Sequence, residues 1–165
     1  MCILASFLPP MLNLDGQWKE VLDRLYNVFK KDFIDKPVFC QNLKVIYDNH
    51  KIYDDKEEIF WHLISKNDKS SGRIPDYNRA KRLPWVNPIL KHYSDPSIKT
   101  WNYLESNGKV RVYLWLEHYD YVVVLEKNKG KRKHLVVLIT AFYVEDWKRK
   151  DLERRYQKRI IEEAL

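Results

Sequence analysis

Glycine is scarce in this chain, with 4 in 165 residues. That scarcity argues against a glycine-rich loop built to cradle phosphates. Cysteine is scarcer still. Cys2 and Cys40 are the only two, and no CxxC spacing occurs. A disulfide framework and a structural zinc site are both disfavoured, and the usage fits a reducing cytoplasm. No run of 18 apolar residues appears, so no membrane span is expected. The opening stretch "MCILASFLPPM" lacks a basic leader and a small-residue cleavage site. It reads as a strand or tail packed on the domain. HExxH, GxSxG and phosphate-loop patterns are missing, and the histidines outside residue 62 are scattered. Internal repeats and low-complexity tracts are missing too.

What is present is aromatic, basic and patterned. The chain holds 6 Trp, 11 Tyr and 6 Phe, and 45% of its residues are apolar. A folded domain is expected rather than disorder. Its length fits one domain able to bury its own core. The formal charge of +7 favours a polyanionic partner without proving one.

Hydrophobic spacing predicts an amphipathic helix over residues 16–34, carried by Trp18, Val21, Leu22, Leu25, Val28, Phe29 and Phe33. Asp15 is placed to cap it and Pro37 to end it. Residues 38–48 read as one or two short strands. Residues 48–58 and 66–78 read as loops, the second broken by Ser-Ser-Gly and Ile-Pro. "IFWHLISK" (59–66) is ambiguous between a strand and a buried helical turn. Residues 79–93 suggest a short helix interrupted by Pro84 and Pro88. From residue 109 the pattern turns to β. Segments 109–117, 119–127 and 134–144 are joined by short links, which implies an antiparallel meander. A charged helix over about 145–162 closes the chain, with Trp147, Leu152, Tyr156 and Ile160 as its apolar side. The expected class is therefore α+β, with an N-terminal helix on an antiparallel sheet and a C-terminal helix. Residues 1–37 form a tail and helix, and 38–165 form the rest of one domain.

Three clusters carry candidate chemistry. The first is His62 with Lys66. Imidazole titrates near neutrality and can move a proton without metal. The alternative is a core histidine packed beside Trp61. The second is "YNRAKRLPW" (77–85), where Arg79 and Arg82 share a face if the segment is helical. Two guanidinium forks suit a phosphate gathering negative charge. The alternative is a solvated basic turn anchored by Trp85. The third is "VLITAFYVEDW" (137–147), where Thr140 interrupts an apolar strand and its hydroxyl needs a partner. Strict alternation puts Thr140 and Tyr143 on opposite faces. Both serve one site only if the strand ends or bulges near Ala141. Separately, "EKNKGKRKH" (126–134) places Lys129, Lys131, Arg132 and Lys133 at a hairpin tip. That tip is either a solvated turn or a salt-sensitive RNA contact.

As an ordered set, "IFWHLISK", "YNRAKRLPWVNPIL" and "YDYVVVLE…HLVVLITAFYVED" resemble the phage-associated Barnase–EndoU–colicin–RelE-like (BECR-fold) nucleases, over about residues 38–158. The resemblance implies helices against a four-stranded antiparallel sheet. It implies a metal-independent, cofactor-free endoribonuclease of the toxin type, acting in the cytoplasm on RNA such as transfer or messenger RNA. An antitoxin or immunity protein would be its partner. His62 matches the family histidine, Arg79 and the following Arg82 match its arginine segment, and Thr140, Ala141 and Tyr143 match its strand end. Phe142 and Asn78 depart from the commoner pattern, which has an aromatic hydroxyl and an acidic residue there. The implied mechanism is attack by the RNA 2′-hydroxyl, giving a 2′,3′-cyclic phosphate. His62 would act as base or acid, the arginines as phosphate clamp, and Lys66 or Tyr143 as helper. The alternative function is a non-enzymatic RNA- or protein-binding module, such as a phage-encoded inhibitor of a host protein.

Overall fold

The computed structural model describes residues 5–128 and 130–161. Helix α1 (Trp18–Phe29) forms where the apolar period is strongest, and Val21, Leu25 and Phe29 bury one stripe of it. The chain does not stop at Phe29. It widens into a π-helical turn, Lys30–Ile34, which keeps Phe33 on the buried side and stacked on Phe29 at 5.4 Å. Gln17, not Asp15, occupies the N-cap, and no side chain caps it. The helical run ends at Ile34, before Pro37. Residues 5–16 form no strand. Leu8 is buried among the core side chains, and Leu12 N–H donates to the Lys81 carbonyl at 2.8 Å.

Strands β1 (Val38–Cys40) and β2 (Leu43–Ile46) follow as an antiparallel pair. A small hairpin, β3 (Ile52–Tyr53) and β4 (Lys56–Glu57), leads directly into helix α2 (Glu58–Ile64). The second hairpin, β5 (Ser65–Asp68) and β6 (Gly72–Pro75), leaves α2 and returns to α3 (Tyr77–Ala80). Both segments expected as loops therefore contain paired strands. A 3-10 turn at Leu83–Trp85 and helix α4 (Val86–Lys91) come next. The meander is β7 (Ile98–Leu104), β8 (Val110–Leu116), β9 (Tyr121–Lys127) and β10 (Leu135–Tyr143). Helix α5 (Asp146–Gln157) is the last helix among the described residues.

The fold is α+β, but its sheet is larger than expected. It has six strands in the order β1-β2-β10-β9-β8-β7. It is also mixed, because Lys44–Ile46 of β2 run parallel to Leu135–Val137 of β10. A meander of short links predicts only antiparallel pairs. The parallel pair joins segments far apart in sequence, so nothing local announces it.

The sheet is covered on both faces. On one side Val112, Leu114, Tyr121, Val123, Leu125 and Val136 pack against α1, α2 and α4 through Leu25, Phe29, Phe60, Leu63 and Leu90. On the other, Trp101, Tyr113, Trp115, Val122 and Val124 pack against Leu152 of α5. This split follows the period of two along each strand. Helix α5 corrects one expectation: Trp147 is 75% exposed rather than part of the apolar side. Ile160 lies beyond the helix, bridged to Asn102 of β7.

Candidate functional site

The site is built where β10 loses a neighbour. Strand β2 pairs only with Leu135–Val137, while β9 pairs with β10 as far as Tyr143. Helices α2 and α3 pack against β10, and Arg79 of α3 reaches Phe142 in its C-terminal half.

Helix α2 buries Ile59, Phe60, Leu63 and Ile64, which leaves Glu58 and His62, four residues apart, on its other side. The His62 side chain is 36% exposed, so it is not a core histidine. Its Nε2 lies 3.7 Å from Glu58 Oε1. Its Nδ1 lies 3.2 Å from Nη2 of Arg73, on β6. Burial pulls the His62 pKa below its ordinary 6.5, and the Arg73 charge pulls it further, against the opposing pull of Glu58. The imidazole is therefore neutral near pH 7. A guanidinium can only donate, so Nδ1 must offer its lone pair to Arg73. The neutral ring then carries its proton on Nε2, toward Glu58.

Arg73 is held by the hairpin that carries it. Its Nη1 donates to both the carbonyl and the hydroxyl oxygen of Ser65, each at 3.1 Å. The hairpin turns through Asp68, whose carboxylate accepts from the Ser70 and Ser71 amides. Gly72 then adopts φ +74°, a conformation natural to glycine.

Asp76 ties the return of this hairpin to α2, because its amide donates to the Ile64 carbonyl at 2.9 Å. Its carboxylate caps α3 by accepting from the Arg79 amide at 3.1 Å. That cap orients Arg79, whose Nη1 donates to the His62 carbonyl at 2.7 Å. The Arg79 guanidinium lies 5.7 Å from the centre of the Phe142 ring. Arg82, only 8% exposed, donates to the Asn78 carbonyl at 2.7 Å. Its guanidinium sits 4.5 Å over the Tyr143 ring and 5.4 Å over Trp85. Burial holds the pKa of all three arginines below the ordinary value, though not far enough to discharge them.

The pairing of these charges is incomplete. Nε of Arg79 and Nε of Arg82 are buried without a hydrogen-bond partner. So is the hydroxyl of Tyr121, at the start of β9, which interacts electrostatically with both arginines. Burial raises its pKa. The nearest carboxylate to Arg79 is Asp76, at 3.9 Å. An incompletely paired buried cation is costly, and a bound anion relieves that cost.

Not every candidate residue reaches this place. Lys66 is exposed, with its ammonium 4.0 Å from Glu145, just past the end of β10. Strand β10 does bulge, but at Ile139, between Leu138 and Thr140 rather than near Ala141. Alternation resumes from Thr140 onward. Cross-strand partners share a face. Thr140 lies opposite Val124, on the α5 side, and Tyr143 lies opposite Tyr121, on the Arg82 side. Thr140 and Tyr143 therefore do not converge. Lys131, Arg132 and Lys133 are exposed at the β9–β10 turn. Nine residues of β10 put roughly 25–30 Å between that turn and Tyr143. Lys129 lies outside the described residues.

Glu58, Arg73, Asp76 and Tyr121 were not anticipated from sequence. Arg73 sat in "SSGRIP", whose breakers suggested a loop. The Asp-to-Gly spacing of a tight turn was the available signal. Tyr121 opened an apolar strand, and a hydroxyl at an inward position there was the only clue. Trp85, by contrast, is a core residue, buried at 1% exposure, while Trp61 is partly exposed.

Among the described residues, no group of three or more His, Cys, Asp or Glu side chains is arranged to hold a metal ion. No helix among them is long and apolar enough to cross a membrane. No family model, curated protein or solved structure matches the chain.

Proposed function

We propose that this chain is a metal-independent endoribonuclease, acting as a toxin on cytoplasmic RNA. The observation that carries the reading is His62: a neutral, part-exposed imidazole hydrogen-bonded to the Arg73 guanidinium, with the Arg79 guanidinium on its backbone carbonyl. RNA supplies its own nucleophile. The 2′-hydroxyl oxygen attacks the adjacent phosphorus, the bond from phosphorus to the 5′-oxygen breaks, and a 2′,3′-cyclic phosphate remains. The protein must take the proton from the 2′-hydroxyl, steady the charge on phosphorus and return a proton to the 5′-oxygen. His62 is the group with a pKa suited to the proton steps. Arg79 and Arg82 hold the phosphate, with Tyr143 beside them. Lys66, exposed beside Glu145, stands outside these proton steps. A chain with this activity needs a dedicated antitoxin or immunity partner in the cell that makes it.

The test is cleavage of total cellular RNA in EDTA, wild type beside His62→Ala, with analysis of the new ends. Fragments ending in 2′,3′-cyclic phosphate with wild type alone support the reading. No cleavage by folded wild-type protein rejects it.

One observation favours a second reading, a non-enzymatic RNA- or protein-binding module. The exposed Lys131, Arg132 and Lys133 lie at the opposite end of β10 from Tyr143 and form a basic patch of their own. A binding module is indifferent to His62→Ala and weakens when those three are neutralised.

A further inference from the structure

A cleft of about 900 Å³ opens between the two small hairpins, beside α2. Trp18, Tyr53 and Trp61 give it aromatic walls, and Lys51 and Arg73 line it with cations. Tyr53 stands at the rim with 70% of its surface exposed. Trp61 is fixed in place, because its indole N–H donates to the Tyr53 carbonyl at 2.8 Å and the two rings meet edge to face. The acidic residues in the lining are Asp54 and Glu58, and Glu58 is partly answered by Lys51 at 3.9 Å. Exposed aromatic rings beside cations suit a single-stranded nucleotide, with a base on the rings and a phosphate on the cation.

Arg73 is the link between this cleft and His62. It lines the cleft, belongs to a hairpin outside the six-stranded sheet, and caps Nδ1 of the imidazole. While it stays there, neither ring nitrogen of the neutral imidazole has a free lone pair. Nδ1 is engaged by Arg73 and Nε2 carries the proton. A base in that state is blocked.

We propose that Arg73 is the phosphate-binding residue of a nucleotide site in this cleft, and that a phosphodiester bound there draws Arg73 away from His62 and frees Nδ1. The proposal rests on the ribonuclease reading for the use made of the freed nitrogen, but not for the binding itself. A phosphate diester is a better partner for a guanidinium fork than one imidazole nitrogen, since it accepts two parallel hydrogen bonds and carries charge. The groups facing His62 are Glu58 from its own helix, Arg73 from β6 and Arg79 from α3. Two lining residues reach a ring nitrogen from the cleft, Glu58 at Nε2 and Arg73 at Nδ1, and of these only Arg73 is a cation that a phosphate can draw away. Removing it takes away one of the two largest influences that hold the imidazole neutral, so the freed ring is also a stronger base.

The test uses the full chain, labelled with 15N at histidine, and the dinucleotide thymidylyl-thymidine, which has a phosphodiester and bases but no 2′-hydroxyl. Signals of His62 are identified by their loss in His62→Gln. In the free wild type the ring is expected as a single tautomer with its proton on Nε2. In Arg73→Gln both tautomers appear and the pKa rises. The dinucleotide moves the wild-type ring the same way, and binds Arg73→Gln at least tenfold more weakly. The proposal is overturned if the dinucleotide leaves the wild-type His62 tautomer and pKa where they were, or if Arg73→Gln binds it as tightly as wild type. RNA cleavage by the same samples separates the two claims. Dinucleotide-dependent release of His62 without any RNA cleavage removes the ribonuclease reading and leaves the site. RNA cleavage with an unmoved His62 does the reverse.

Discussion

Arg155 and Arg82 sit on opposite faces of one sheet and live under opposite rules. Arg155, on α5, donates to both carboxylate oxygens of Glu105 at 2.9 and 3.0 Å, to the Tyr113 hydroxyl at 2.9 Å and to Asp151 at 3.1 Å. Tyr113 in turn donates to Glu105 at 2.5 Å. Burial works against the Arg155 charge, but Tyr113 and the two carboxylates outweigh it, and its pKa is raised. On the other face Arg79 and Arg82 donate to backbone carbonyls, keep an orphaned Nε each, and share a buried tyrosine whose hydroxyl has no partner. Their pKa values are pushed down. The same residue types thus make a closed network and an open one. A closed network holds a fold together. An open one leaves buried polar atoms unsatisfied, a cost that the closed one avoids.

That contrast can be broken in graded ways. The largest effect is expected from His62→Ala, which should lower RNA cleavage by about 10²–10⁴-fold with an unchanged circular dichroism spectrum. Glu105→Ala should do the opposite. It leaves Arg155 and Tyr113 without their acceptor and should cost about 2–3 kcal/mol in urea unfolding, with cleavage per folded molecule unchanged. A smaller, sharper pair is Tyr113→Phe against Tyr121→Phe. The first removes a satisfied hydroxyl and should cost about 1 kcal/mol. The second removes an unsatisfied one and should be neutral or stabilising. Equal losses from both would mean that the two networks do not differ in the way described.

Acid should separate the faces too. The folded pKa of His62 lies below 6.5, so the unfolded chain binds its proton more readily. Its contribution is full above pH 6.5 and declines as pH falls through the folded value. Asp151 is held down to about 2 by Lys148, Arg154 and Arg155, against the effect of burial. Its contribution is full above 3.8 and fades toward pH 2. Unfolding midpoints should therefore fall in two steps, and His62→Gln should remove only the upper one. The smallest expected effect lies at the β9–β10 turn. Neutralising Lys131, Arg132 and Lys133 should flatten the salt dependence of RNA binding by up to about one power per lost phosphate contact, while single-turnover cleavage hardly changes.

Much of the scaffold was legible in the sequence because it is locally encoded. Val21, Leu25 and Phe29 mark α1 by spacing alone, and alternation marks β8 through β10 within two residues of their observed limits. The mixed sheet was not legible, since the β2–β10 pair depends on segments that share no local signal. Strand β7 gave no reading at all. Its Trp101 and Asn102 are adjacent and both buried, one on each face of the covered sheet, which hides the alternation. In the site, Arg79 and Arg82 were found because a helical turn keeps them close, and Tyr143 because it ends a strand. Arg73 was lost because hairpin geometry, not spacing, carries it to His62. Thr140 was drawn in by its chemistry, and one extra residue at Ile139 sends it to the other face.

The parallel pairing of β2 with β10 also sets an order of events during translation. Helices α2 and α3, which bear His62 and Arg79, rest on a strand that leaves the ribosome after both of them. At about 5–20 residues per second, the wait between β2 and β10 lasts seconds. Once residue 82 has been made, and until β10 follows, the nascent chain has its histidine and its arginines but not the strand that α2 and α3 rest on. A site that depends on β10 is therefore completed only after that strand has emerged.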